Sequence, residues 1–186
     1  MKSFLKENGY NIFKMMINQV GMTMMGLMLS FATYNNNLLT LISSLFSIGF
    51  YLYLLYTMCW DIGAKDKIRV DSKRMAPMKL KGLWMSLIAN IPNLILAVCV
   101  IIGRLSISDA VTNSGNFWFV TKMIATCIQG MYAGLLELYA PYNPIAYILI
   151  ILPALAASEL GYYLGYREHR IFGFAAKKPA GGAKKN

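Results

Sequence analysis

Residues Leu38 to Trp60 form a run of 23 residues with no charge and no proline. As an α-helix rising 1.5 Å per residue, such a run is about 34 Å long, enough to cross the hydrocarbon of a bilayer. Composition supports that reading. The 186-residue chain is 57% apolar and only 14% charged, with a mean hydropathy of +0.48. Soluble chains carry roughly 25% charge. These values exclude a disordered chain, a collagen-like fibre and a disulfide scaffold, and they predict an all-α integral membrane protein.

Other apolar stretches flank this run. Met15 to Tyr34 is free of charge, and Asn35, Asn36 and Asn37 then favour a turn. Leu83 to Gly103 forms a third span, carrying Asn90, Pro92 and Asn93. Ile145 to Tyr166 forms another, carrying Pro153 and Glu159. Phe117 to Ala140 is apolar overall but holds Lys122, Gln129 and Glu137. Tyr51, Tyr53, Tyr56 and Trp60 fit an interfacial aromatic belt. No small-residue cleavage site follows the first apolar run, so it is expected to stay as a span.

The polar segments set the orientation. The lead-in 1–14 holds three bases, the loop 61–82 holds seven, and the tail 167–186 holds six, so these segments carry 16 of the 18 Lys and Arg. The positive-inside bias places all three on the cytoplasmic side. The tail is rich in Lys, Ala, Gly and Pro and is expected to be disordered. Common placement of the three segments requires an even number of crossings. Phe117 to Ala140 is the segment to demote, because it alone has charges of both signs well inside it. The expected architecture is therefore four transmembrane helices (15–34, 38–60, 83–103 and 145–166) with 117–140 as an outer-side re-entrant or interfacial segment. Five transmembrane helices are the alternative. A bacterial plasma membrane is the expected location, with both termini cytoplasmic.

Polar groups inside apolar segments are the candidate functional residues, since intramembrane ionisable groups tend to line ion or substrate paths. Lys122 and Glu137 lie about 22 Å apart on a continuous helix and meet only if the segment folds back near Gly130. The plainer reading is an interfacial helix whose charged ends reach water. Pro92 frees a carbonyl beside Asn90 and Asn93, which offers polar ligands. A structural kink with interhelical hydrogen bonds explains the same residues, and Pro153 is a second kink candidate. Glu159 is either a proton-coupling carboxylate or the partner of a base from the 61–82 loop. Ala157, Gly161 and Gly165 share one helix face, and Gly130 and Gly134 repeat the spacing, so both sets are helix-packing candidates. Lys65, Lys67, Arg69, Lys73, Arg74, Lys79, Lys81, Arg167 and Arg170 are candidate contacts for anionic lipid.

Metal and enzyme signatures are missing from the sequence. Cys59, Cys99 and Cys127 read as buried apolar groups, and the single His169 sits among bases. Met24 and Met28, one turn apart, are weak ground for copper. There is no Gly-rich phosphate loop, HExxH or GxSxG. No catalysis, metal, cofactor or nucleic-acid partner is expected. The expected partners are anionic lipid and a membrane protein or further copies of the chain. The first functional expectation is a structural or accessory subunit of a membrane complex. The alternative is a homo-oligomeric pathway for a small solute or ion, lined by Asn90, Asn93, Lys122, Glu137 and Glu159.

Overall fold

The computed structural model describes residues 2–106, 112–140 and 143–169, and among them it is all-helical, with no strand. The elements are α1 (Lys2–Thr33), α2 (Asn37–Asp71), α3 (Lys81–Ala89), α4 (Ile91–Ser106), α5 (Thr112–Ile128), a 3-10 turn (Gly130–Tyr132), α6 (Ala133–Tyr139), α7 (Ala146–Leu149) and α8 (Leu152–Tyr166). Three helical stretches are long and apolar enough to cross a membrane: Phe4–Thr33, Asn37–Asp71 and Ala146–Tyr166. The pairs α3–α4, bent by 55°, and α5–α6, bent by 94°, raise the number to five if each is one span.

Local chemistry fixes the ends of these helices. Asn36 caps α2, its Oδ1 accepting from the backbone N–H groups of Leu38 at 3.0 Å and Leu39 at 3.3 Å. At the other end α2 runs on to Asp71, so the expected polar loop is helical for its first half. Asp61 pairs with Lys65 one turn on, and no proline interrupts before Pro77. The lead-in is likewise helical from Lys2. Low hydropathy marks where a span leaves the apolar layer, not where its helix stops.

Lys73, at φ 56°, closes α2 with a left-handed residue. Its N–H donates to the Val70 carbonyl and the Arg74 N–H to the Arg69 carbonyl, both at 2.9 Å. This is the Schellman arrangement. α8 ends the same way around Glu168, at φ 57°, with His169 N–H donating to the Leu164 carbonyl.

Pro92 and Pro153 each occupy the second position of a helix, α4 and α8, where a missing N–H leaves no bond broken. The 55° bend lies just before Pro92. Asn90 ends α3 there by donating its N–H to the Ser86 carbonyl.

α1 and α2 are antiparallel, joined at what we call the turn end, Tyr34–Asn36. α8 runs parallel to α2, with glycines at the contact. A Cβ on Gly161 would meet the Tyr56 carbonyl, one on Gly165 the Trp60 carbonyl, and one on Gly63 the Tyr162 carbonyl. The start of α1, the end of α2 and the end of α8 therefore share the opposite, basic end. There Trp60 Nε1 donates to the His169 carbonyl at 2.8 Å, and Lys67 pairs with Glu168 at 3.4 Å. Tyr51 and Tyr56 face this packing and are buried, so they belong to the core and not to an aromatic belt. The α5–α6 bend meets α1 in its last third. Thr23 Oγ1 donates to the Ile128 carbonyl at 2.8 Å, and a Cβ on Gly130 would strike Leu27 and the Thr23 carbonyl. α6 then lies beside the turn end, Gly134 against Ser44, Thr40 and Ser30.

Candidate functional site

Between the basic halves of α1 and α2 lies an open chamber of about 970 Å³. It reaches from Glu7 to Asn18 along α1, about 16 Å by helical rise, and along α2 from Arg69 inward to Leu54. Asn8, Asn11 and Asn18 line the α1 side at spacings of three and seven, a single helix face. On the α2 side Ile62, Asp66 and Arg69 repeat the helical spacing, and Arg74 returns to the rim through the Schellman turn.

One wall of this chamber holds a buried ion pair. Lys81 Nζ, on the first residue of α3, lies 2.7 Å from Asp66 Oδ2, with side-chain exposures of 5% and 2%. Tyr162 Oη of α8 reaches the same oxygen at 3.3 Å, and Arg69 approaches the other at 3.8 Å. Three helices thus converge on one carboxylate. Breaking such a pair costs about 3–5 kcal/mol, because the remaining charge stays buried. Lys81 was expected at the lipid surface. Its burial against Asp66 removes it from that surface.

Deeper in the bundle a second polar cluster surrounds a void of about 10 Å³, room for one water-sized species. Gln19, Asn90, Asn93, Gln129, Tyr51 and Tyr132 contribute to its walls. Asn93 Nδ2 donates to Asn90 Oδ1 at 2.9 Å, and Asn90 Nδ2 to the Ser86 carbonyl at 2.9 Å. Both amide atoms of Gln129 and the hydroxyl of Tyr132 are buried without a hydrogen-bond partner. Met15, four residues from both Asn11 and Gln19 on α1, is buried, as is Leu55, next to the chamber-lining Leu54 on α2. Toward the turn end Thr23, Thr40, Ser44 and Ser47 are also buried. Thr23, Thr40 and Ser47 donate to the Ile128, Thr33 and Ser43 carbonyls, and Ser44 Oγ has no partner among the described residues.

No family model, curated protein or solved structure matches this chain. Its chemistry is therefore read from the geometry.

The remaining expected site residues are scattered. Asn90 and Asn93 line the void. Glu159 does not pair with a base of the 61–82 segment. Its Oε2 accepts from the Leu83 backbone N–H at 2.9 Å, capping α3, whose own cap residue Leu80 offers no side-chain acceptor. Lys122 Nζ lies 5.2 Å from the Trp118 ring centroid, where Arg104 also sits at 5.4 Å. Glu137 is exposed on α6, beyond the 94° bend. Gly130, Gly134, Gly161 and Gly165 all pack within the chain, while Ala157 is half-buried.

Of the basic candidates, Lys65, Arg69 and Arg74 line the chamber, and Lys73 and Lys79 are exposed. Lys67 pairs with Glu168, and Arg167 lies over the Tyr163 ring at 4.6 Å. Arg170 and the tail beyond it fall outside the described residues. Met24 and Met28 face outward. Cys127 is exposed, not buried as expected, because it lies on the outer face of α5. The sequence marks no cavity here, although Lys65, Arg69, Arg74 and Lys81, expected at anionic lipid, all line the chamber. The regular Asn8, Asn11, Asn18 face of α1 is a signal of it that the sequence also carries.

Proposed function

We propose that this protein is a small polytopic membrane protein that passes a small polar solute, with the chamber as the entrance at its basic end. The observation that carries the reading is the polar file inside the bundle. From Asn18 at the chamber floor, polar side chains continue through Gln19, Asn93 and Gln129 to Thr23, Ser44 and Thr40. Within that file Ser44 Oγ and both amide atoms of Gln129 have no partner among the described residues, which costs several kcal/mol in a setting without water, so an interior built only for packing would not retain them. The buried Met15 and Leu55 and the small void correspond to a closed state.

The chain crosses four times in this reading: α1, α2, α3–α4 and α7–α8. α5 and α6 form a re-entrant pair that meets the last third of α1 at Thr23–Leu27 and returns toward the turn end. The contacts of Gly130 with Thr23 and Leu27, and of Gly134 with Ser30 and Thr40, support that path. The bases of all three basic segments then face the cytoplasm.

Liposome flux tests the function. Reconstituted protein is expected to release small trapped polar solutes. Gln129→Leu, at the void, is expected to change the rate several-fold, and Glu137→Gln, outside the file, to leave it unchanged. Flux equal to that of empty liposomes under every gradient overturns the reading.

The accessory-subunit reading rests on a different observation. α4 packs on α5 and leaves Ile95, Val98, Ile102 and Leu105 of α4 and Phe119 and Met123 of α5 exposed. This arm offers a lateral face to another membrane helix. Native mass spectrometry after gentle extraction separates the readings: a heteromeric mass favours the subunit, and a homomeric one favours the pathway.

A further inference from the structure

We infer that the basic-end chamber binds a phosphate-bearing anion. The inference rests on the chamber being a ligand entrance, as proposed above, and adds the class of ligand. Its lining holds Lys14, Lys65, Arg69, Arg74 and Lys81 against Glu7, Asp61 and Asp66, two more bases than acids. The surplus falls on particular residues. Asp61 is taken by Lys65, and Asp66 by Lys81 at 2.7 Å, with Arg69 more distant at 3.8 Å. Lys14 and Arg74 have only Glu7 left among the chamber acids.

The backbone brings two guanidinium-bearing residues to one rim. Arg69 is in the last turn of α2, and Lys73 in its left-handed conformation folds the chain so that the Arg74 N–H donates to the Arg69 carbonyl at 2.9 Å. A left-handed residue other than glycine is costly, and here it returns a second arginine to the cavity mouth. Guanidinium forks match the paired oxygens of phosphate, which a single ammonium cannot do. Asn11, Asn18 and Thr57 supply neutral hydrogen-bonding groups below the rim, and Leu54, Met58 and Met75 supply apolar wall. A cationic rim over mixed walls suits a phosphate ester. The ester is either a lipid headgroup entering from the membrane or a soluble phosphate compound. The volume of about 970 Å³ lies at the upper end of small-molecule sites and far exceeds one phosphate ion.

The test uses the full chain in mild detergent, read by native mass spectrometry with phosphatidylglycerol, phosphatidylcholine or glycerol phosphate added. Retention of phosphatidylglycerol over phosphatidylcholine is expected if the ligand is a headgroup. Retention of glycerol phosphate without preference for the lipid assigns a soluble ester. In either case Arg69→Gln/Arg74→Gln is expected to weaken binding by roughly tenfold or more, from the loss of charge-assisted hydrogen bonds. Lys79→Gln, exposed outside the chamber, is expected to have no effect. Arg74→Gln alone preserves the backbone cap and carries the same reading should the double variant fail to fold. Arg74→Lys, which keeps the charge but loses the fork, is expected to bind more weakly than the native chain. Absence of binding by both phosphatidylglycerol and glycerol phosphate, or binding equal in the native chain and Arg74→Gln, overturns the inference. Because binding is read without transport, absent flux with intact arginine-dependent binding removes only the pathway. Intact flux with arginine-independent binding removes only the anion.

Discussion

Asp66 ties together three helices. It accepts from Lys81 and Tyr162 while 2% exposed, so α2, α3 and α8 all meet at its carboxylate. Lys81→Met is expected to destabilise the protein by about 3–5 kcal/mol, since it strands a buried carboxylate. The double change Asp66→Leu/Lys81→Met is expected to recover most of that loss, as a buried pair is often replaceable by apolar side chains. Thermal melting in detergent measures both; equal losses in the single and double variants would contradict the pairing. Glu159 acts through a hydrogen bond to a backbone N–H. Glu159→Ala is expected to cost about 1 kcal/mol, the usual value of a lost helix cap, and Glu159→Gln much less. Sequence made Glu159 visible as an acid among apolar residues, but not its partner. A backbone donor 76 residues away leaves no mark in charge or spacing.

At the scale of the element, the α2–α8 seam shows what small-residue spacing can and cannot convey. Ala157, Gly161 and Gly165 were legible as a close-packing face. Their partner was not, because α2 answers Gly161 and Gly165 with the Tyr56 and Trp60 carbonyls and contributes a single glycine, Gly63. Gly165→Ala is expected to force the helices apart at a cost of about 1–3 kcal/mol, and Gly161→Leu to prevent monodisperse purification. Chromatographic profile and melting temperature check both. The two Schellman ends invite a contrasting change. Lys73→Gly is expected to stabilise by about 0.5–1 kcal/mol, because glycine adopts the left-handed conformation without a Cβ penalty. Glu168→Gly relieves the same strain but loses the Lys67 contact, so its gain is expected to be smaller. Equal shifts in melting temperature would deny the ion pair any role.

For the whole molecule, counting bases went further than reading motifs. The described parts of the three basic segments, the last of them only as far as His169, lie at one end of the bundle, where Trp60 binds the His169 carbonyl and Lys67 meets Glu168. Helix lengths were misread at that same end. Charge hid the helical continuation of α1 and α2, and with it the chamber between them. A chamber is a property of two helices diverging, and no single segment encodes it. Thiols introduced into a cysteine-free background test the arrangement. Lys73→Cys and His169→Cys are expected to react with an impermeant reagent from one side of the membrane, and Asn35→Cys from the other. Labelling of positions 73 and 169 from opposite sides would reject it.

The hydrogen bonds from α1 to α2 gather near the turn, where Thr40 Oγ1 donates to the Thr33 carbonyl at 2.7 Å and Thr33 lies 3.2 Å from Ser43. Toward the basic end the contact thins to Asn18 against the Met58 sulfur at 3.8 Å, and then the chamber parts the helices. α2 has no such freedom, because glycine-to-carbonyl packing locks it to α8 along the same stretch. The two walls of the chamber are thus mechanically unequal. One is a fixed post of two fused helices. The other is α1, clamped by the α5–α6 bend at Thr23, Gly26 and Leu27 and parted from α2 by the chamber on the basic side of Asn18. A ligand that drew the walls together would therefore bend the first stretch of α1 inward about a fulcrum near Asn18.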